Sequence, residues 1–200
     1  ELKILNKLNT PAKIQDFLDK LPINFEEKGE TCMSPLSVLK NIKAHCIEAA
    51  FLAALTLRLN RIGNGKALVV DMRATKDDCD HVIAVFKKDG HWGAVAKSNF
   101  TTLRYREPVY RSLRELVMSY FDFYFNIAGD KSLRSYSLPL DLTIYNYCQW
   151  ATTDEDLEYI GDRLEKIRHY PVVDNKMIRN LKKASDTMLK AGMMGSNEEG

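Results

Sequence analysis

The segment "IEAAFLAALTL", residues 47 to 57, constrains this chain more than any other. Past Glu48 it is almost all alanine and leucine until Arg58. A helix that is apolar around most of its circumference has to be enclosed by other elements, so the fold must be built around it. The segment is far too short to cross a bilayer. Gly63 and Gly65 end it, and the charges of Arg58 and Arg61 suit its C-terminal dipole. Its opening is odd: His45 and Cys46, both reactive, stand where a plain core helix would carry a serine or aspartate cap.

The flanking sequence reads as α+β. Thr10-Pro11 starts the helix "PAKIQDFLDKL", which puts Ile14, Phe17, Leu18 and Leu21 on one face. Residues 22 to 33 are loop-like, with "EEKGET" at their centre, and Ser34-Pro35 signals a second start at "PLSVLKNIKA". This stretch is either a short separate helix or the first turns of the apolar one. The period then changes to two. "KALVVDMRA", "DHVIAVF" and "HWGAVAKS" read as strands, the last two joined by "KKDG", whose Asp-Gly is a strong hairpin signal. "TLRYREPVY" reads as an extended piece stopped by Pro108, and "RSLRELVMSYFDFYFN" as an amphipathic helix. Beyond it come one strand-like run, "LPLDLTIYNY", and two helices, "TDEDLEYIGDRLEKIRH" and "DNKMIRNLKKASDTMLK". The expectation is a single domain over residues 1–200, with a central helix on an antiparallel sheet and further helices at both termini. Its core spans about 34–110, a helical and strand-containing C-terminal lobe about 111–192, and a frayed polar tail 193–200.

Composition bounds the partners. The 200 residues carry a formal charge of +2, which gives no general electrostatic case for nucleic acid. No charged-then-apolar leader opens the sequence, although a start at Glu1 leaves a removed leader open. Four irregularly spaced cysteines, Cys32, Cys46, Cys79 and Cys148, do not make a disulfide framework, so we read them as thiols of a cytoplasmic protein with no membrane partner.

The chemistry centres on Cys46. A thiolate, not a thiol, attacks a carbonyl carbon, and a helix N-terminus or a nearby histidine lowers a thiol's pKa. His81, at the head of "HVIAVF", can point across a sheet toward the end of a packed helix. The base needs an acceptor for its second N–H to fix tautomer and ring plane. If Asp89-Gly90 is a two-residue turn, Lys88 faces His91 and Ser98 falls opposite His81. A one-residue bulge brings Asn99 there, and the opposite bulge Lys97. Asn99, with an amide oxygen, is the preferred acceptor and Ser98 the next. His45, adjacent to Cys46, would point about 100° away on a helix, as a cleft-rim residue.

A cysteine at a helix start, a strand, a histidine heading a hairpin and a polar residue on its return strand resemble the transglutaminase-like superfamily. The shared pieces are "CIEAAFLAALTLR", "ALVVDMRA" and "HVIAVFKKDGHWGAVAKSN", over roughly residues 44 to 100. The following stretch, "SNFTTLRYREPVYRSLRELVMSYFDFYF", looks like a bacterial branch rather than the crosslinking enzymes. The resemblance implies a papain-like core and a Cys-His-Asp triad acting on amides, with Cys46 as nucleophile and His81 as general base and acid. The sequence departs at the third position, where "GAVAKSN" holds no aspartate. The implied activity is acyl transfer through a thioester, with hydrolysis of an amide or peptide bond preferred over transfer to an amine. A catalytically impaired binding or regulatory module on the same fold is the alternative.

Trp92 of the Gly-x-Trp, and Arg104 and Arg106, which share one face of an extended segment and could clamp a carboxylate, are candidate substrate contacts. Cys79 and His81 lack the paired spacing of a zinc site, and no glycine-rich phosphate loop is present, so no metal or cofactor is expected. Tyr120, Phe121, Tyr124 and Phe125 read as core packing at helical spacing. His91 at the hairpin's far end and His169 at a helix terminus are weak candidates.

Overall fold

The computed structural model describes residues 2–26 and 29–196; the centre of the "EEKGET" loop and the last four residues of the expected tail lie outside them. Four helices come first: α1 (Leu2–Lys7), α2 (Pro11–Lys20), α3 (Pro35–Asn41) and α4 (Cys46–Leu59). Thr10 Oγ1 accepts the Lys13 N–H to cap α2, with Pro11 in the first turn. Helix α3 stops when Ile42 adopts a left-handed conformation, so α3 and α4 are separate. The chain between them is committed elsewhere: Ala44 donates to the Pro22 carbonyl and accepts from Asn24 N–H. That pairing, not the apolar pattern, fixes where α4 begins.

The sheet follows: β1 (Leu68–Arg73), β2 (His81–Lys88), β3 (His91–Val95) and β4 (Arg106–Tyr110). After α5 (Leu113–Phe121) come β5 (Ser135–Ser137), β6 (Leu140–Asp141), α6 (Glu158–Lys166), β7 (His169–Pro171), α7 (Asn175–Ile178) and α8 (Asp186–Met193). The fold is α+β, an open antiparallel sheet of seven strands in the order β4-β3-β2-β1-β5-β7, with β6 also pairing β1. Asp89 and Gly90 both have positive φ, the conformation a two-residue hairpin turn demands, and Lys88 faces His91 as expected.

Both faces of the central strands are buried. Val69, Val82, Ala84 and Phe86 pack toward α4, whose Ala49, Ala50, Phe51, Leu52, Ala53, Ala54 and Leu57 are almost fully covered. Val70, Met72, Ile83 and Val85 pack on the opposite side with Leu116, Val117 and Tyr120 of α5. No helix among the described residues is long and apolar enough to cross a membrane. All four cysteines are free, with Cys32 buried and Cys79 exposed.

Several expectations are corrected. Strand β4 runs through Pro108, because it is an edge strand and a proline there costs no ladder bond on its open side. Strand β3 ends at Val95: the Gln15 side chain of α2 donates to the Ala96 carbonyl and accepts its N–H, replacing a strand partner. "LPLDLTIYNY" gives only two strand residues before Asp141 Oδ1 accepts the Thr143 N–H and opens a 3-10 helix, Leu142–Cys148. The final long helix is two, α7 and α8. Helix α5 stops at Phe121, so Tyr124 and Phe125 are buried from a following loop.

Gly93 is a packing requirement. A Cβ there would lie 2.7 Å from Phe86 Cζ and 3.0 Å from both the Arg106 carbonyl oxygen and Pro108 Cα. Gly93→Ala should therefore push β4 off β3 and cost about 1–3 kcal/mol in urea unfolding, as overpacking generally does.

Candidate active site

Cys46 is the first residue of α4, and His45 is its N-cap, with extended backbone. The first N–H groups of a helix have no intrahelical partner, so Cys46 sits where partial positive charge is concentrated. The start is held by Glu48, a fully buried carboxylate. Its Oε1 accepts from Thr31 Oγ1 (2.7 Å) and Met33 N–H (3.0 Å), and its Oε2 from His45 N–H (2.9 Å) and Asn24 Nδ2 (3.3 Å).

Two imidazoles, not one, flank the thiol. His45 Nδ1 lies 4.0 Å from Cys46 Sγ, while its Nε2 meets the Thr31 carbonyl at 2.9 Å. Glu26 Oε1 and Glu48 Oε1 lie 3.4 and 3.5 Å from that same nitrogen. His45 is outside the helix as its cap, so the turn of about 100° between consecutive helical residues does not apply, and its ring stands between the cavity and the adjoining depression. His81 approaches from the first position of β2, opposite Met72, almost fully buried, with its ring edge-on to Tyr124.

The electrostatics follow. Burial alone pushes the Cys46 thiol up, but the interactions with His45 and then His81 outweigh it and bring the pKa down to about 5. Burial also opposes charge on His45, but the adjoining Cys46, then Glu48 and the Thr31 carbonyl, raise it to about 9. Cys32 is the internal contrast: buried without a histidine, and with Glu48 nearby, it is pushed up to about 12.

His81 Nε2 meets the backbone carbonyl of Leu103 at 3.0 Å. The acceptor at Nε2 is a main-chain oxygen, a partner that the hairpin arithmetic did not offer beside Asn99 and Ser98. Sheet pairing between β2 and β3 stops at Ala84 and Val95, so residues 97–99 lie outside the ladder. Ser98 Oγ accepts the Phe100 N–H, and Lys97 Nζ donates to the Leu18 and Leu21 carbonyls at the end of α2. Ser98 and Asn99 nevertheless line the same cavity as Cys46 and His81.

That cavity has a volume of about 220 Å³ and mainly apolar walls, from Ile23, Phe25, Phe100, Leu103, Tyr124 and Phe125. On the other side of His45 and Asp80 a depression of about 590 Å³ is bordered by Glu26, Glu30, Glu158, Asp162 and Glu165. The candidate substrate contacts do not reach the cavity. Trp92 lies on β3 with Lys87 Nζ over its ring at 4.6 Å. Arg104 bonds the Ser98 carbonyl and Asp19, and Arg106 bonds Ser119 and the Thr102 carbonyl beneath the Tyr120 ring. Both guanidinium groups are spent on internal partners.

The remaining histidines are apart from the site. His91 Nδ1 meets the Asp89 carbonyl at the hairpin turn. His169 begins β7 just past the end of α6, its Nδ1 meeting the carbonyl of the C-cap residue Ile167 at 2.8 Å and its Nε2 lying 2.8 Å from Asp71 Oδ2. Burial raises the Asp71 carboxyl to about 6 in that pair. No protein-family model matches this sequence, and no curated protein matches it.

Proposed function

We propose that this protein is a cysteine-nucleophile acyl-transfer enzyme working through a thioester, on an amide or peptide-like substrate whose acyl part is apolar. One observation carries the reading: a half-buried thiol brought down to about 5 at a helix start, beside two histidines, on the wall of a mainly apolar cavity. The Cys46 thiolate attacks the carbonyl carbon. The oxyanion is received by the N–H groups at the start of α4, which are oriented before the reaction begins. The C–N bond breaks and the leaving nitrogen takes a proton from His81. Neutral His81 then draws a proton from water as its oxygen attacks the thioester, which returns the carboxylic acid, the thiolate and protonated His81. Water is the preferred acceptor. The order of Cys46, His81 and hairpin, with its resemblance to the transglutaminase-like superfamily, agrees with this chemistry.

A second reading, a binding or regulatory module on the same fold, is favoured by the neutral acceptor on His81. A carbonyl orients the ring but stabilises an imidazolium less than an aspartate would. One experiment separates them. The protein is mixed with p-nitrophenyl hydrocinnamate, quenched in acid and weighed intact. The enzyme reading expects a burst of nitrophenolate and one hydrocinnamoyl group on Cys46, absent in Cys46→Ser. A Cys46 that reacts with iodoacetamide but never carries the acyl group would leave the binding module as the reading.

A further inference from the structure

We infer that His45 is the standing counter-ion of the Cys46 thiolate, a second imidazole in the site with a role separate from that of His81. The inference rests on the acyl-transfer reading for its purpose, but its geometry stands independently. The two rings have different surroundings. His81 turns its Nε2 to a neutral main-chain carbonyl, whereas His45 turns its Nε2 to the Thr31 carbonyl with two carboxylates within 3.5 Å. Those carboxylates are fixed. Glu48 is buried under four donors, and Glu26 Oε1 accepts the Thr31 N–H at 2.6 Å. A ring so placed keeps its proton at Nε2, and protonated at Nδ1 as well it presents that N–H to the sulfur.

The charges around His45 favour the same state from every side. Its own helix supplies Glu48 and the thiolate; the segment before α3 supplies Glu26 and Glu30. The chain leading into β2 supplies Asp78 and Asp80, with Cys79 between them, and α6 supplies Glu158, Asp162 and Glu165 across the adjoining depression. Opposing them at the cavity, beside the His81 imidazole, is Lys97, which is turned away to the carbonyls of Leu18 and Leu21.

Labour is then divided. His45 holds the sulfur as thiolate each time it is released. His81, relieved of that task, passes one proton to the leaving group and recovers it from water. Raised to about 9 and lowered to about 5 respectively, His45 and Cys46 coexist as imidazolium and thiolate across the window between those values. Thiolate is lost as the pH falls through the lower value, and the counter-ion as it rises through the upper.

The test compares wild type with His45→Asn, which keeps a good N-cap residue, and with Glu26→Gln on the outer side of the ring. Iodoacetamide rates on Cys46 are followed against pH by mass spectrometry, and the imidazole resonances by NMR. His45→Asn should slow alkylation at about pH 6 by about tenfold or more, through a rise in thiolate pKa toward the free value of about 8.5. In Glu26→Gln, whose helix start is untouched, the His45 resonance should titrate at a lower pH than in wild type. A Cys46 as acidic in His45→Asn as in wild type, or a His45 resonance unmoved by Glu26→Gln, would overturn the inference. Such a result, with hydrocinnamoyl transfer intact, leaves the acyl-transfer reading standing. A Cys46 that depends on His45 but never acylates removes that reading and leaves the counter-ion role.

Discussion

Glu48→Ala should cost about 3 kcal/mol, because it strands the buried Met33 and His45 N–H groups and takes one of two partners from Thr31 Oγ1 and Asn24 Nδ2. The Met33 and His45 N–H groups end on this carboxylate, Thr31 Oγ1 and Asn24 Nδ2 share it with Glu26 Oε1 and Thr31 Oγ1 respectively, and it has no exposure through which water could replace it. Each buried donor left without a partner costs about 1–3 kcal/mol, and only partial relaxation keeps the total below their sum. For a chain of this size the loss corresponds to a fall in melting temperature of about 6–12 °C, readable by calorimetry. Glu48→Gln retains an acceptor oxygen and should lose clearly less. The same substitution to alanine should also raise the Cys46 pKa, since it frees the first turn of α4 and removes one carboxylate from His45. A Glu48→Ala protein that melts with wild type would mean that the donors find other partners.

That coupling of fold and site explains which features the sequence could reveal. The start of α4 carried a readable signal: Glu48 three residues after His45 is the spacing at which an N3 carboxylate reaches back to an N-cap N–H. Read that way, His45 belongs outside the helix and beside the sulfur, not on the helix surface. The hairpin turn was legible because Asp89-Gly90 suits positive φ at both positions. The end of β3 was not, because the residue that terminates it, Gln15, is 81 positions away in the chain. The acceptor on His81 was beyond sequence arithmetic for a different reason. A main-chain carbonyl leaves no residue-type signature, so Leu103 looks like any core leucine. Strands of two or three residues, as in β5, β6 and β7, are likewise too short to display a period of two.

Internal partners also account for the arginines. A surface Arg-x-Arg pair and a buried one look identical in sequence, and only the folded chain shows that Arg104 reaches Asp19 on α2 while Arg106 lies on Tyr120. Binding must then come from the cavity itself. Its mainly apolar walls select by size and hydrophobicity, which recommends an apolar acyl probe over a charged one.

His81→Gln should separate the two halves of the proposed reaction. The glutamine amide can still donate toward the Leu103 carbonyl, which the ring meets at 3.0 Å, so the wall of the cavity keeps its hydrogen bond. It cannot carry a proton between leaving group and water. An activated ester expels nitrophenolate, which leaves without protonation, so acylation of Cys46 by p-nitrophenyl hydrocinnamate should persist while His45 maintains the thiolate. Hydrolysis of the thioester needs a base at the attacking water, and its loss should slow turnover by about 10²–10⁴-fold, the usual contribution of a positioned general base. The acyl-enzyme should accumulate, visible by intact mass minutes after mixing where wild type has returned to free thiol. With an anilide in place of the ester, the acylation step should fail as well, because the departing nitrogen requires the proton His81 no longer supplies. If the variant hydrolyses ester and anilide at the wild-type rate, the base is another group and His45 becomes the residue to test in its place.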